Sequence, residues 1–473
     1  MTSTRSNPRR SGRAVPSAPS EPPAAPSLHQ RILFPPSSAA KPPRILHSPA
    51  HAALDPLILD LIALCLRAYV TPWYNGGISR DPDKAFLQAV TAVLVHVIQA
   101  LEVRLSAVDW TTLLVQDLPS VLAQHYQDWD LAGERAGGGT AHNLSQEELF
   151  HRLQPHIAIS LVSPAELSPS EAERLKPHVS QVYLRTLVDH LLKLLLPPAD
   201  YRAETERAIV REILTGVVFG TVFNRVAQPW FLHRIIATQL EAREAATKAA
   251  DKAAAGAGVG ESTSPALLDR LLSALAALPS AASAVYSAVS TVFSRATSTS
   301  VPSHYASQPP LHTSPISLAR AVLPPSTFLA QTLHCLSLPL AFFSSSVDAL
   351  LVHFVESKLT TANTVKLVLE GAINGMFPND GWPAPKEEDP DADQQEHLRR
   401  RAEEALARAL PASLPGILFV DLRSTDSTDP RLSLAQHLLR PLSSHIANVH
   451  LFLLIVDLVV GKVFPELLTK AED

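Results

Sequence analysis

Apolar residues in this chain recur every three or four positions, and that spacing limits the possible fold more than any other feature. From Pro56 onward Leu57, Leu61, Leu64 and Ala68 share one helical face, with Ile58, Ile62, Cys65 and Tyr69 alongside. Phe86, Val90, Val93, Val97, Leu101 and Leu105 repeat the pattern, and Leu113, Leu114, Leu118 and Leu122 follow Asp109, a residue suited to cap a helix start. Ser79 or Asp81, with Pro82 behind it, offers another start signal. Strand-like alternation is nearly absent, and Gly416–Leu422 is the one short candidate. Helices with one apolar face bury it against other helices. The predicted fold class is therefore all-α, a multi-helix bundle.

Low-complexity stretches divide that bundle. Residues 1–50 are rich in Pro, Ser, Ala and Arg and are expected to form a disordered tail. Helical patterns over 51–243 form a first domain. They include Gln146–Leu153, Pro169–Lys176, Val179–Leu196 and one long segment, Tyr201–Ala227. Residues 244–315 read as a long insertion, Ala/Gly/Lys/Glu-rich and then Ser/Pro-rich, with a Ser/Ala-rich helix inside it. Apolar helices return over 316–473, with a charged helix at Glu396–Leu410 and a last apolar region at Leu432–Leu468, and this region is expected to complete the bundle.

Charge and composition remove several classes. A net charge of −5 and the lack of a long Lys/Arg patch argue against nucleic acid as a partner. Cys65 and Cys335, the two cysteines, cannot make a disulfide framework or a cysteine zinc site, and read as small core hydrophobes in a reducing compartment. The sequon at Asn143 is expected to be idle there. The N-terminus lacks a secretory apolar core; its arginines and serines resemble a transit peptide in composition, but prolines at 8, 16, 19, 22 and 23 favour a disordered basic tail. Ile213–Phe223 and Ile446–Val456 are each about half the roughly 20 apolar residues of a membrane span. Ala321–Val347 is uncharged but interrupted by prolines, so a soluble or peripheral protein is expected.

Catalytic signatures are missing from the sequence. There is no Gly-x-Ser-x-Gly elbow and no Walker A loop. Asp389, Asp391 and Asp393 imitate the first calcium ligands of an EF-hand, but Gln394 and Arg400 stand where glycine and glutamate are required. His151 and His156 lack helical ligand spacing. No enzyme activity, cofactor or metal is predicted.

Three ordered motifs carry a family resemblance. The first is Trp73-Tyr74 followed by Ile78-Ser79 and Asp81. The second is Leu196-Pro197-Pro198-Ala199-Asp200-Tyr201 with Glu206-Arg207-Ala208-Ile209-Val210-Arg211-Glu212-Ile213-Leu214 behind it. The third is Gln228-Pro229-Trp230-Phe231-Leu232. Together they resemble the PXA (PX-associated) domain of fungal proteins and of one group of sorting nexins, over roughly residues 52–240. A phosphoinositide-reading PX domain and an RGS domain are not found downstream, so PX-pocket recognition does not carry over.

The resemblance implies endomembrane work. It predicts a non-enzymatic, cytoplasmic protein peripherally attached to endosome, vacuole or endoplasmic reticulum, which binds lipid (phosphatidylinositol included) or docks on membranes, with other endomembrane proteins as further partners. Trp73, Tyr74, Pro229 and Trp230 are its expected structural anchors. Arg207 and Arg211, one turn apart, read either as local ion pairs with Glu204 and Glu212 or as a clamp for an anionic lipid headgroup. Ile213–Phe223 and Ile446–Val460 are either the walls of a lipid cavity or ordinary core. Residues 267–293 form an amphipathic pattern with a Ser/Thr polar face, resembling a lipid-packing sensor, with Leu271, Leu275, Tyr286, Val289 and Phe293 as membrane contacts; the alternative is packing on the domain or disorder. The alternative function is a helical protein–protein adaptor with little or no lipid binding, whose partner surfaces are the N-terminal tail and Glu396–Leu410.

Overall fold

The computed structural model describes residues 27–34, 43–77, 84–138, 144–162, 176–256, 309–323, 344–379, 381–383, 389–410 and 429–468. Gly416–Leu422, most of Ala321–Val347, Cys335 and the 267–293 pattern lie outside these residues, as do Ser79, Asp81 and Pro82.

The described chain is overwhelmingly helical. A short helix α1 (Leu28–Leu33) precedes α2 (Asp55–Cys65), a π turn (Leu66–Val70), α3 (Thr71–Gly77) and the long α4 (Ala85–Ala107). A second π turn (Thr112–Asp117) leads into α5 (Leu118–Gly137), then α6 (Gln146–Leu153). A hairpin of β1 (Ile159–Val162) and β2 (Lys176–Val179) pairs Ile159 with Val179 and Val162 with Lys176, antiparallel. Helices α7 (Gln181–Leu195), α8 (Pro198–Arg202), α9 (Glu204–Ile213), a π segment (Leu214–Phe223), α10 (Asn224–Val226) and α11 (Pro229–Gly256) follow. The later chain gives α12 (Thr313–Val322), α13 (Ser344–Phe354) with a π turn (Val355–Leu359), α14 (Ala362–Met376), α15 (Ala392–Ala409), α16 (Pro430–Leu439) and α17 (His445–Val463).

Helix starts follow the side chains available. Asp109 Oδ1 accepts from the amides of Thr111 and Thr112 at 3.1 Å, as its position predicts. Ser145 and Glu148 close a capping box on α6. Asp391 caps α15 by accepting from the Gln394 amide at 2.8 Å, which is the work its acidic neighbourhood does in this fold.

The structure departs from the sequence expectations at four places. The helix expected at Pro169–Lys176 is corrected at its last residue, where Lys176 opens β2, a four-residue strand containing Pro177 and too short to register as alternation; residues 169–175 lie outside the described set. Tyr201–Ala227 was read as one helix, whereas Ala203 (ψ 88°) breaks it and the apolar half widens into the π segment. The linker was placed from 244, but the alanine-rich stretch beyond it continues α11 to Gly256, as alanine's helix propensity favours. The 1–50 tail also differs where described: Leu33 and Ile45 are fully buried in a core with Leu59, Ile62, Leu87 and Val95.

Further buried clusters organise the rest. Trp129, Ala132, Leu149, Phe150 and Ala447 bring α5 and α6 onto α17, and Ala158, Ile159, Ala227, Val449 and Leu453 bring the hairpin and α10 to the next turns of that helix. Ala237, Ala402 and Leu439 join α11, α15 and α16, the first two helices approaching through small side chains.

Candidate functional site

The Trp73-Tyr74 stretch is helical: α2 passes through the π turn directly into α3, which carries both residues. The Tyr74 ring stacks on Phe86 with centroids 3.8 Å apart and planes 4° from parallel, so it packs α3 onto α4. The side chain of Trp73 lies outside the described set. Lys84, just before α4, holds a left-handed backbone (φ 54°) and donates from Nζ to the carbonyls of Arg31 (2.6 Å) and Phe34 (2.9 Å). A cleft of about 280 Å³ opens between α1, α3 and the start of α4.

Helix α9 is built inside out. None of its residues is buried. Its cations turn toward α7, where Arg207 Nε and Arg211 Nη1 lie 3.5 and 3.6 Å from the same Asp189 Oδ1. These are contact ion pairs rather than hydrogen bonds. Arg207 also donates to the Tyr201 carbonyl and stacks over that ring at 4.5 Å. Glu212 takes a bidentate bond from Arg185, which holds its carboxyl below the usual range, and adds a pair with Arg211. The local-ion-pair reading thus holds for Glu212, while the main counter-ion, Asp189, comes from another helix. Ile209, Val210 and Ile213 face solvent, 50%, 39% and 46% exposed.

The chain continues into a packed anchor. Pro229 opens α11, and Trp230 is buried with Arg225 and Arg234 over its ring at 5.4 and 5.2 Å. The two apolar segments, expected to be either cavity walls or ordinary core, do meet: Phe223 and Phe452 pack edge to face with centroids 6.1 Å apart, both half-buried against the cluster of Ala227, Val449 and Leu453.

Comparison with known proteins places these motifs. Residues 51–239 match the PXA domain family. Residues 51–239 are a PXA domain. The chain is 32% identical over 162 residues to PXA domain protein 1 of Schizosaccharomyces pombe, covering 34% of this chain and 29% of that protein. It is 27% identical over 184 residues to sorting nexin-13 of Mus musculus (37% of this chain, 18% of that one) and 26% identical over 175 residues to human sorting nexin-19 (37% and 16%). The match therefore spans well under two thirds of each relative. No solved structure matches the chain significantly.

Histidines knit the PXA domain to α17, far outside it. His151 Nδ1 and His450 Nε2 are 3.0 Å apart. His156 Nδ1 accepts from the Ala158 amide, so its Nε2 carries the proton given to Asp457 Oδ2 at 2.9 Å. Asp457 also accepts from the Tyr183 hydroxyl at 2.5 Å. Burial, with the Asp457 bond behind it, holds that hydroxyl well above its ordinary value. Burial pushes His450 down to about 3, with its histidine neighbours adding to the effect, and His125 down to about 4 against the pull of Gln154. Among the described residues no group of three or more His, Cys, Asp or Glu side chains is arranged to hold a metal ion.

Sequence reading singled out His151 and His156 but not His450, Asp457 or Asp189. No local spacing marks them, because each partner lies on a distant helix. Two described helices, α4 and α17, are long and apolar enough to cross a membrane by length and composition. Helix α17 uses that apolarity in the core, whereas α4 buries only Leu87, Thr91 and Val95.

Proposed function

We infer that this is a non-enzymatic protein of endomembrane trafficking that docks peripherally on membranes and binds lipid there, in line with the sorting nexins its PXA domain resembles. The observation that supports this most is α9: a helix that pairs its arginines inward with Asp189 and presents Ile209, Val210 and Ile213 outward. An inverted face of this kind gains when water is replaced by acyl chain, about 1.5–3 kcal/mol for each fully buried side chain. Helix α14 supports the same reading: none of its residues is buried, and Leu367 and Val368 are 70% and 64% exposed.

The adaptor reading has less support. The charged helix reserved for a partner packs on α11, with Ala402, Glu403 and Ala405 buried and Arg401 bridging to Glu241. The test is flotation of the full-length chain with phosphatidylcholine vesicles. Cofloating protein, resistant to salt and lost in an Ile209→Asp/Ile213→Asp variant, is expected. Absence of cofloating protein, or equal flotation of the variant, rejects docking through α9.

A further inference from the structure

We propose that the cleft beside Tyr74 is a binding site for a phosphate group, carried either by an anionic lipid headgroup or by a small soluble phosphate ester.

Three cations line it: Arg31 from α1, Arg67 from the π turn after α2, and Lys84 at the head of α4. Among the described residues none forms an ion pair with a carboxylate, and no acidic side chain lines the cleft. Three like charges drawn around one opening repel one another, and a bound anion turns that repulsion into attraction. The donors suit a phosphate. A guanidinium offers a planar fork, and Lys84 uses two of its three N–H donors on the Arg31 and Phe34 carbonyls, which leaves one. Thr71 and Asn75 add hydroxyl and amide groups.

The site is built rather than incidental. The Arg67 Nη2 donates to the Gly381 carbonyl, and the guanidinium lies 4.4 Å over the Trp382 ring. Gly381 (φ 79°) takes a left-handed backbone, and a Cβ there would stand 2.7 Å from Arg67 Nη2. So the loop behind Arg67 accepts only glycine without displacing the cation. Tyr74, clamped on Phe86, gives the cleft a rigid wall, and the Ile32 and Leu87 side chains give it an apolar one. At about 280 Å³ it is just below the roughly 300–1,000 Å³ of drug-sized sites, which fits a headgroup and excludes a whole lipid. Arg31 and Ile32 precede the PXA match, so the site belongs to the assembled chain and not to the domain alone.

Calorimetry with glycerol 3-phosphate, and flotation with phosphatidylcholine vesicles with and without phosphatidic acid, test it on the full-length chain. Two exposed positions keep the test independent of folding: Arg31→Glu and Asn75→Asp. A soluble ester is the source if glycerol 3-phosphate binds; a headgroup is the source if only phosphatidic acid vesicles show the gain. In either case both variants are expected to lower affinity about tenfold, as loss or reversal of a charge-assisted contact does. Phosphate binding that is absent from both probes, or that survives both substitutions unchanged, overturns the proposal. Docking through α9 is read separately: Arg31→Glu leaves flotation with neutral vesicles intact, and Ile209→Asp leaves glycerol 3-phosphate binding intact.

Discussion

His151 on α6 and His450 on α17 share one hydrogen bond, 3.0 Å long, across 299 residues of chain. It joins the PXA domain to the C-terminal helix inside a buried cluster where Phe150 meets His125, Trp129 and His450 edge to face at 5.2, 5.5 and 5.4 Å.

That cluster makes the fold acid-sensitive. His450 and His125 stay neutral in the fold, at about 3 and about 4, while an unfolded histidine titrates near 6.5. Both values are depressed, so as pH falls below about 6.5 the unfolded chain takes up protons that the fold refuses, and stability drops until the folded values are reached. Near pH 5 the loss is on the order of 2 kcal/mol for each of the two histidines. Urea midpoints measured above pH 7 and at about pH 5 check this, and His450→Gln is expected to reduce the difference. Equal midpoints at both pH values would mean the cluster is open to water.

Phe150 is the apolar centre of the same junction and is fully buried. Its replacement by alanine removes a ring packed on both α5 and α17. The expected cost is about 3–5 kcal/mol, since such a site cannot fully collapse. A loss below about 1 kcal/mol in chemical denaturation would show that α17 does not depend on this contact.

Asp189 neutralises two arginines at once, in a setting about one third exposed. Asp189→Asn removes the counter-ion that Arg207 and Arg211 share, leaving Arg211 its pair with Glu212. Solvent screening limits the effect, so a loss of about 1 kcal/mol is expected, shrinking further in high salt. Thermal denaturation at two ionic strengths reads it; a salt-independent loss would point to packing instead of charge.

The contact of α11 with α15 rests on small side chains more than on its salt bridges. Ala237 and Ala402 are fully buried, whereas the Arg401–Glu241 pair is partly solvated. Ala402→Leu overfills the contact and is expected to cost about 1–3 kcal/mol, while Arg401→Ala costs under about 1 kcal/mol. The reverse order in denaturation would assign the contact to its charges.

The helical class, most helix positions and the PXA motifs were legible because each is encoded within a few turns of chain. The 3.6-residue period, the caps at Asp109 and Ser145, and the Pro229-Trp230 start are local properties of neighbouring residues. The aromatic character of Tyr74 is written in the sequence, although only the fold supplies Phe86 as its partner. Tertiary structure alone decided the rest. The β1–β2 hairpin is too short to show a period. The inward turn of Arg207 and Arg211 depends on Asp189, and the histidine cluster on α17. The three cations of the cleft come together only when α1, a segment read as disordered tail, packs under α2 and α4. Such pairings carry no sequence signature, because a side chain's charge or ring is written in the chain but its counterpart is chosen by how the helices stack.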